Sequence, residues 1–404
     1  MARREDLNGV RGAVKVQVVT PWYPDRYSPY SGIFVKKQVD ALRRLCHQVE
    51  VEVPVIYPAP QGAVPDAVAR AMESLAEIDP AAMFAQDDGV TRVPAAVPSR
   101  SGDLGRAAAY ENSMRIKRSF LPGEVDITHA HLGVPTGLAL LHLGAKPLVV
   151  TEHQSTLGRV FGQPGGVEAY QEVLEGADAF ICVSSHLKDQ IVGATQSKAA
   201  EAIDIVPNIV DLSDIPFRER ARGAHGHWVY VGTIATHKGI ELLLRAFKVY
   251  RQGDRSATLT IVGVGPHRPW VERFTAGAGL SRSVRLTGSV PHEKIGAFLD
   301  KADVLVHLSP SETFGIASLE AIGAGLPVVS LRNGGAESAW GDFEEVVGCL
   351  LPAGARAVDV AEAVVRLEER GDALDPQAGR RMVEGRFAPN QIADALIATY
   401  ERVL

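Results

Sequence analysis

The sequence predicts an α/β protein with two doubly wound, Rossmann-like domains, and two observations carry this prediction. Short runs rich in valine and isoleucine alternate with segments of helical periodicity in the first half of the chain. Runs that are apolar at nearly every position are typical of strands covered on both faces, as in a parallel sheet with helices on either side. The same alternation begins again after residue 227. We therefore expect one parallel sheet in each half.

The expected strands of the first domain are residues 14–19, 49–56, 127–130, 148–151 and 179–183. Those of the second domain are residues 228–231, 258–262, 284–287, 304–307 and 327–331, with helices over 239–250 and 318–324. The segment 58–106 is rich in Pro, Ala, Gly and Asp and has weak periodicity, so it is interpreted as an excursion from the first domain.

The join between the domains is expected after residue 206, because Pro207, Asn208 and Pro216 interrupt any periodicity and a polar run follows at 218–222. We assign residues 1–206 to an N-terminal domain and residues 207–387 to a C-terminal domain. Residues 388–404 are interpreted as an amphipathic helix that returns toward the N-terminal domain. Its expected apolar face consists of Ile392, Leu396, Ile397, Tyr400 and Val403.

Composition excludes several classes of protein. The 404 residues contain 42 Lys and Arg against 48 Asp and Glu, a net charge of −6, which disfavours nucleic acid as a partner. The three cysteines are far apart and indicate neither a disulfide framework nor a zinc cluster. The polar N-terminus does not resemble a signal peptide, and no run approaches the roughly 20 apolar residues of a membrane-spanning helix. A cytoplasmic protein, with peripheral membrane contact at most, is expected.

The segment 309–330 is the most informative, because it combines a strand end, a glycine turn and a helix start. At the carboxyl end of a parallel strand, the N-terminus of a helix offers free N–H groups and a positive dipole to an anion, so a phosphate is expected at 315–318. Glu312 lies before this helix and Glu320 lies within it, and both can face one crevice. The alternative is that Glu320 only favours the helix N-terminus and Glu312 is solvated.

Other strand ends point to the same kind of crevice. Lys238 follows a strand and a glycine turn and precedes a helix, which would place its charge near a phosphate, although a solvated lysine is the alternative. In the first domain, Gly32 follows the first strand, while His129, His131 and His153 follow or end later ones. No HExxH motif or third clustered ligand accompanies these histidines, so no metal site is predicted.

Together these residues resemble the retaining glycosyltransferases of family 4, whose GT-B architecture consists of two facing Rossmann-like domains. The strongest match is 312–320, which is similar to the family's paired-glutamate motif and is followed by Gly-Leu-Pro-Val-Val at 325–329. Weaker matches are residues 206–212, 232–239, 263–266, 302–304 and 333–338.

The resemblance implies transfer of a sugar from a nucleotide-sugar donor to an acceptor hydroxyl, with the anomeric configuration retained. It assigns catalytic roles to His131, beside the donor sugar, to Glu312, on the sugar hydroxyls, and to Lys238, on the diphosphate. Glu320 would hold the ribose diol, and His129 would be structural. The residues that the resemblance assigns to the nucleotide sugar are Gly32, Gly232, Thr233, Lys238, Phe314, Gly315, Ile316, Ala317 and Glu320.

Two further features shape the expected chemistry. The family usually has an arginine where this chain has Thr233, so one phosphate-binding cation is missing. We find no Asp-x-Asp pair to chelate a metal, so neither a metal nor another cofactor is expected. In the family's usual account the leaving phosphate takes the acceptor's proton, and no protein nucleophile is assigned.

The sequence leaves substrates and two other functions open. A uridine donor is the commoner case in such enzymes. The acceptor is a surface polysaccharide or other glycan, a lipid-linked sugar or a small metabolite. The alternative functions are a nucleotide-sugar epimerase of the same fold and a protein that binds nucleotide sugars without catalysis.

Overall fold

The computed structural model describes residues 14–45, 47–59, 83–84, 86–98, 101–121, 123–219, 226–370 and 373–404, together with residues 70, 73–74, 77 and 79. The chain divides into two compact units. The first extends to Val183 and includes residues 188–206 and 393–404, and the second consists of residues 184–187 and 207–392. Within the described ranges, no helix is long and apolar enough to cross a membrane.

The first unit is built on an eight-stranded sheet in the order β3-β4-β2-β1-β5-β6-β7-β8, parallel except for the β3–β4 pair. Its strands are β1 (Lys15–Val19), β2 (Gln48–Ala59), β3 (Gln86–Asp87), β4 (Val90–Pro98), β5 (Ile127–His131), β6 (Leu148–Glu152), β7 (Ala179–Cys182) and β8 (Asp204–Ile205). The helices of this part of the chain are α1 (Ile33–Arg44), α2 (Asp103–Phe120), α3 (Leu138–His142), α4 (Leu157–Phe161), α5 (Gly166–Gly176) and α6 (Ser185–Thr195).

The second unit contains a six-stranded, wholly parallel sheet in the order β11-β10-β9-β12-β13-β14. Its strands are β9 (His227–Val231), β10 (Thr258–Val262), β11 (Val284–Gly288), β12 (Val304–His307), β13 (Val328–Leu331) and β14 (Gly348–Leu351). The helices that follow are α7 (Ile240–Gly253), α8 (Arg268–Gly277), α9 (Ile295–Lys301), α10 (Ile316–Gly323), α11 (Gly335–Trp340), α12 (Glu344–Val347), α13 (Ala357–Glu369), α14 (Pro376–Phe387) and α15 (Pro389–Val403).

The prediction of an α/β protein with two parallel sheets is confirmed. All ten predicted strands occur within one or two residues of their expected ends, apart from β2, which runs three residues longer. The apolar runs are buried because helices cover them: β1, β7 and β12 are buried along almost their whole length.

The interpretation of the segment 58–106 as an excursion is wrong for residues 90–98. β4 pairs in parallel with β2 from Val90 to Pro98 and is therefore part of the sheet. Pro94 and Pro98 obscured the strand signal. Among the described residues, β4 pairs on this side only through Val90 and Thr91, with β3. Proline is tolerated at such an edge because a missing N–H group there costs no ladder bond. Residues 60–69 of the excursion lie outside the described part of the chain.

The last turns of α15 pack on the first sheet through a buried hydrogen-bond chain. The His129 ring lies with Nδ1 2.7 Å from the Tyr400 hydroxyl and Nε2 2.7 Å from Thr151 Oγ1. Burial lowers the pKa of His129 to about 3, so the ring is neutral and both nitrogens are occupied. Leu396 is fully buried beside this contact on the same helix.

We expect Leu396→Ala to lower the free energy of unfolding by about 2–5 kcal/mol, because it removes a buried leucine from a close-packed site. Glu401→Ala on the exposed side of the same helix is the control and should change it by less than about 0.5 kcal/mol. Denaturant unfolding of both variants checks this, and equal effects would show that α15 is not an integral part of the core.

Candidate active site

The strand order of each sheet reverses beside its first strand. In the second sheet, β9 lies between β10 and β12, and in the first, β1 lies between β2 and β5. Parallel α/β sheets bind ligands outside the carboxyl ends of the strands at such a reversal, because the connections leave in opposite directions and open a crevice. The loop after β9 carries Lys238, and the loop after β12 carries Glu312. In the first unit, the loop after β1 carries Gly32, and His131 is the last residue of β5.

A glycine brings the loop after β9 onto the end of β12. Gly239 has φ +71°, and a Cβ atom there would lie 1.9 Å from the carbonyl oxygen of Leu308. Only glycine combines this left-handed conformation with so close a backbone approach. The preceding residue, Lys238, is thereby held against the loop that carries Glu312.

Lys238 and Glu312 form a partly buried ion pair. Lys238 Nζ donates to Glu312 Oε1 at 2.7 Å, and His307 Nε2 lies 3.0 Å from the same oxygen. Burial raises the pKa of the Glu312 carboxyl, but the hydrogen bond and charge of His307, together with Lys238, lower it more, to about 2. Glu312 is therefore ionised at neutral pH and can only accept hydrogen bonds.

The loop that carries Glu312 is braced by the segment after β13. The Glu312 N–H donates to the Asn333 carbonyl at 3.1 Å, and Asn333 Nδ2 donates to the Ser309 carbonyl at 3.1 Å. The Glu337 carboxylate accepts the N–H groups of Asn333 and Gly334 at 2.9 and 2.7 Å. The 333–338 motif thus holds the Glu312 loop in place.

The helix α10 begins at Gly315, which has φ +84° and open space where a Cβ atom would stand. The next residues, Ile316 and Ala317, are the first of the helix, whose initial N–H groups have no partner within the helix. Phe314 is buried edge-to-face against Phe387 and anchors this turn. The turn therefore presents backbone donors and the positive end of the helix dipole to an anion.

Glu320 lies in the second turn of α10 and is 3% exposed. Its Oε1 lies 2.7 Å from His292 Nε2, in the turn that follows β11. Glu312 and Glu320 thus have different histidine partners: His307 at the end of β12 and His292 in the turn after β11.

Thr233 follows Gly232 at the end of β9 and is exposed. Its carbonyl accepts the Tyr230 hydroxyl at 2.8 Å, which fixes the backbone of this turn.

In the first unit, His131 ends β5 and is buried in a stack of imidazole rings. Its Nδ1 lies 2.8 Å from His153 Nε2, and its ring stacks on those of His129 and His153. Burial, followed by the neighbouring His129 and His153, holds the pKa of His131 well below its usual range, so the ring is neutral.

Gly32, at the start of α1, lies too close to the backbone of Trp22 for any side chain. It has φ +63°, and a Cβ atom there would lie 1.9 Å from the Trp22 carbonyl oxygen. No other residue fits this turn at the start of α1 without moving the backbone.

Sequence reasoning missed two residues that organise these sites. Glu152 is fully buried and accepts hydrogen bonds from the N–H groups of Gly133, His153 and Gln154 and from the Tyr170 hydroxyl. It ties the loop after β5 to the loop after β6, although burial raises its pKa. His307 is the other. Each is an ionisable residue at the end of an otherwise apolar strand, and this pattern in the sequence could have identified both.

The structure places Lys238 in direct contact with Glu312, and it places Gly232, Thr233, Phe314, Gly315, Ile316, Ala317 and Glu320 in the same unit. Gly32 and His131 belong to the other unit. Among the residues that the structure describes, no group of three or more His, Cys, Asp or Glu side chains could hold a metal ion.

Two family models match the chain. The model for glycosyl transferases group 1 matches residues 214–381, and the model for glycosyltransferase family 4 matches residues 31–214. The chain is 29% identical over 253 residues to a glycogen synthase of Mycobacterium tuberculosis, an alignment that spans 60% of each protein. It is 28% identical over 328 residues to a 2-deoxystreptamine glucosyltransferase of Streptomyces kanamyceticus, covering 74% of this chain and 82% of that protein.

Solved structures show the same fold. A sucrose-phosphate synthase from Thermosynechococcus elongatus superposes with a TM-score of 0.73 over 96% of this chain and 98% of that protein, at 17% identity. The two parallel-sheet α/β domains are those of the GT-B fold, as the sequence predicted.

The depressed pKa of Glu312 makes the stability of the second unit depend on pH. An ionised carboxylate with a folded-state pKa of about 2 and an ordinary pKa of 4.5 stabilises the fold above pH 4.5, and this contribution is lost as the pH falls toward 2. We expect Glu312→Gln to be less stable than the native protein by on the order of 3 kcal/mol at pH 7, with the difference shrinking toward pH 2.

Unfolding free energies measured across this pH range check the prediction. Glu345→Gln, an exposed position of the same unit, is the matched control and should differ from the native protein by less than about 0.5 kcal/mol throughout. A pH-independent difference for Glu312→Gln would contradict the assigned charge pairing.

Proposed function

Since the chain belongs to glycosyltransferase family 4, we propose that it is a retaining glycosyltransferase that moves a sugar from a nucleotide-sugar donor, with uridine diphosphate as the nucleotide, to an acceptor hydroxyl. The second unit would bind the donor and the first unit the acceptor. The product would be a glycan or a glycosylated metabolite. The observation that carries the proposal is the ion pair between Lys238 and Glu312, because Glu312 lies on the loop that leads directly into the N-terminus of α10. Adjoining segments thus supply a cation, a carboxylate and backbone donors.

The ionisation state of Glu312 favours a binding role over proton transfer. A carboxylate that stays ionised at neutral pH accepts hydrogen bonds from sugar hydroxyls but has no proton to give a leaving group. In the proposed reaction the bond between the anomeric carbon and the phosphate oxygen breaks, and a bond to the acceptor oxygen forms on the same face. The departing phosphate takes the acceptor's proton.

Stabilisation of the leaving diphosphate falls to Lys238 and the N–H groups of Ile316 and Ala317 in this proposal. Preorganised donors aimed at developing charge are worth several kcal/mol in a site shielded from water. Lys238 is 22% exposed and has Glu312 as its ion-pair partner, so a bound diphosphate would share the ammonium with this carboxylate. The neutral, buried His131 would adjoin the reacting sugar without adding positive charge near the oxocarbenium-like carbon.

Acceptor-dependent release of nucleoside diphosphate tests the function. We expect uridine diphosphate sugars to be consumed only when an acceptor is present, with turnover unchanged in EDTA because no step is assigned to a metal.

Glu320→Gln should weaken uridine diphosphate binding by roughly 10-fold or more, since a charged acceptor for ribose hydroxyls is lost. Glu312→Gln should leave that binding within about threefold and lower turnover.

Calorimetry and a coupled assay supply both measurements, with Glu345→Gln as the control. Conversion of the donor without an acceptor would favour an epimerase. Nucleotide binding without turnover on any acceptor would favour a protein that only binds the nucleotide sugar.

Lys238 should carry an unusually large share of the diphosphate charge, because Thr233 offers one hydroxyl where an arginine would offer a bidentate fork. We expect Lys238→Met to cost on the order of 2–5 kcal/mol in transition-state stabilisation. Thr233→Arg should partly rescue that variant and should tighten diphosphate binding in the native background. Titration of uridine diphosphate into the two single variants and the double variant measures these effects. Weaker binding after Thr233→Arg in both the native protein and the Lys238→Met variant would refute this account.

A further inference from the structure

The first unit contains a cavity of about 310 Å³ at the carboxyl ends of its central strands. Trp22 and Tyr23 from the loop after β1, Arg92 from β4, and Leu132 and Gln154 from the loops after β5 and β6 contribute to its lining. Leu132 and Gln154 directly follow His131 and His153 in the sequence. The volume is at the lower end of the roughly 300–1,000 Å³ of small-molecule sites, which suits a single ring better than an oligosaccharide.

Arg92 brings a positive charge into this cavity, and among the described residues no ion pair neutralises it, since the Asp25 carboxylate of the same lining lies beyond ion-pair distance. Its guanidinium donates from Nη2 to the Pro24 carbonyl at a long 3.4 Å. In the part of the chain that the structure describes, no carboxylate lies within 4.0 Å of Arg92. An arginine presents five N–H donors in a fixed fork, so most of its hydrogen-bonding capacity is available to a ligand.

The second arginine of the cavity is already neutralised. Arg106 Nη1 donates to Asp103 Oδ1 at 2.9 Å, and the other oxygen of this buried carboxylate accepts Gln163 Nε2 at 3.1 Å. Arg106 and Asp103 therefore form a closed structural pair, unlike Arg92.

The remaining polar lining suits hydroxyl groups. Asp25 directs one carboxylate oxygen, Oδ1, to the N–H groups of Tyr27 and Ser28 at 2.7 and 2.6 Å. Its other oxygen is an acceptor for a ligand hydroxyl. Trp22, Tyr23 and Tyr110 also contribute to the lining. Tyr23 and Tyr110 are buried, whereas the partly exposed Trp22 offers a flat apolar ring on which a ligand ring can pack.

We infer that this cavity binds the acceptor as a single-ring polyol that carries an oxyanion, a phosphate or a carboxylate, held by the guanidinium of Arg92. The inference rests on the proposed function, because it identifies the bound polyol as the acceptor. The oxyanion pairs with the guanidinium of Arg92, which thereby selects charged acceptors over neutral ones. The Asp25 carboxylate accepts hydrogen bonds from ring hydroxyls, and the Gln154 amide can both donate to them and accept from them.

The test compares ligands that share a ring and differ in charge. Hexose 6-phosphates, the corresponding hexuronates and the neutral hexoses are titrated into the full-length protein saturated with uridine diphosphate. We expect at least one phosphate or carboxylate compound to bind at least tenfold more tightly than its neutral counterpart. The two charged series distinguish a phosphate site from a carboxylate site.

Variants of Arg92 assign the preference to this residue. Arg92→Gln should reduce the tenfold preference to less than threefold, and Arg92→Lys should keep part of it because the charge remains. Arg115→Gln, an exposed arginine of α2 in the same unit that pairs with Glu111, is the matched control and should keep the full preference. If Arg92→Gln does not fold, Arg92→Lys and the native protein still decide.

Three outcomes overturn the inference. Equal binding of charged and neutral rings, or no binding of any of them, would show that the cavity does not take this class of ligand, and an unchanged preference in both Arg92 variants would place the anion elsewhere. Uridine diphosphate binding, measured in the same samples, separates this result from the proposed function. Its absence would argue against a glycosyltransferase, whereas its presence without a charge preference would overturn only the acceptor class.

Discussion

The salt bridge between Lys238 and Glu312 is the interaction on which the second unit's site depends. It joins the loop after β9 to the loop after β12, which leave the sheet on either side of the strand-order reversal. Glycine at position 239 permits the approach, and His307 shares the same carboxylate oxygen. A carboxylate with two cationic or ring N–H partners is held in one orientation, so the site is preorganised before any ligand binds.

A buried ionisable group must either find hydrogen-bond partners or lose its charge, and the first unit shows both outcomes. Glu152 is saturated by four donors and fixes the loops after β5 and β6. The buried rings of His129 and His131 are neutral, and His131 is hydrogen-bonded to His153. The second unit thus presents charges and a helix N-terminus, whereas the centre of the first presents uncharged imidazoles. This contrast matches a diphosphate on one unit and a sugar acceptor on the other.

Arg92 departs from this rule, since it lines a cavity with little of its hydrogen-bonding capacity used. An unmatched guanidinium in a concave, partly aromatic site is stable only while water reaches it, and a ligand that displaces the water must replace those contacts. If the first unit binds the acceptor proposed above, its selectivity depends on charge as much as on shape.

The sequence alone determined the class of fold, ten strands, and the placement of Gly32, His131, Lys238 and Glu312 at or just after strand ends and of Glu320 within the helix that follows Gly315. Apolar periodicity and glycine placement are local signals, which is why they suffice for this. It did not reveal β4, since prolines interrupt the pattern at positions 94 and 98. They are acceptable because no described strand pairs with the outer side of β4 beyond Thr91. Nor did it reveal that His307 and Lys238 share Glu312, that Glu152 ties two loops together, or that Arg92 forms no ion pair with a described residue. Those facts depend on which side chains the sheet order brings within hydrogen-bond distance, and residues 5 to 74 positions apart in sequence meet only after the chain has folded.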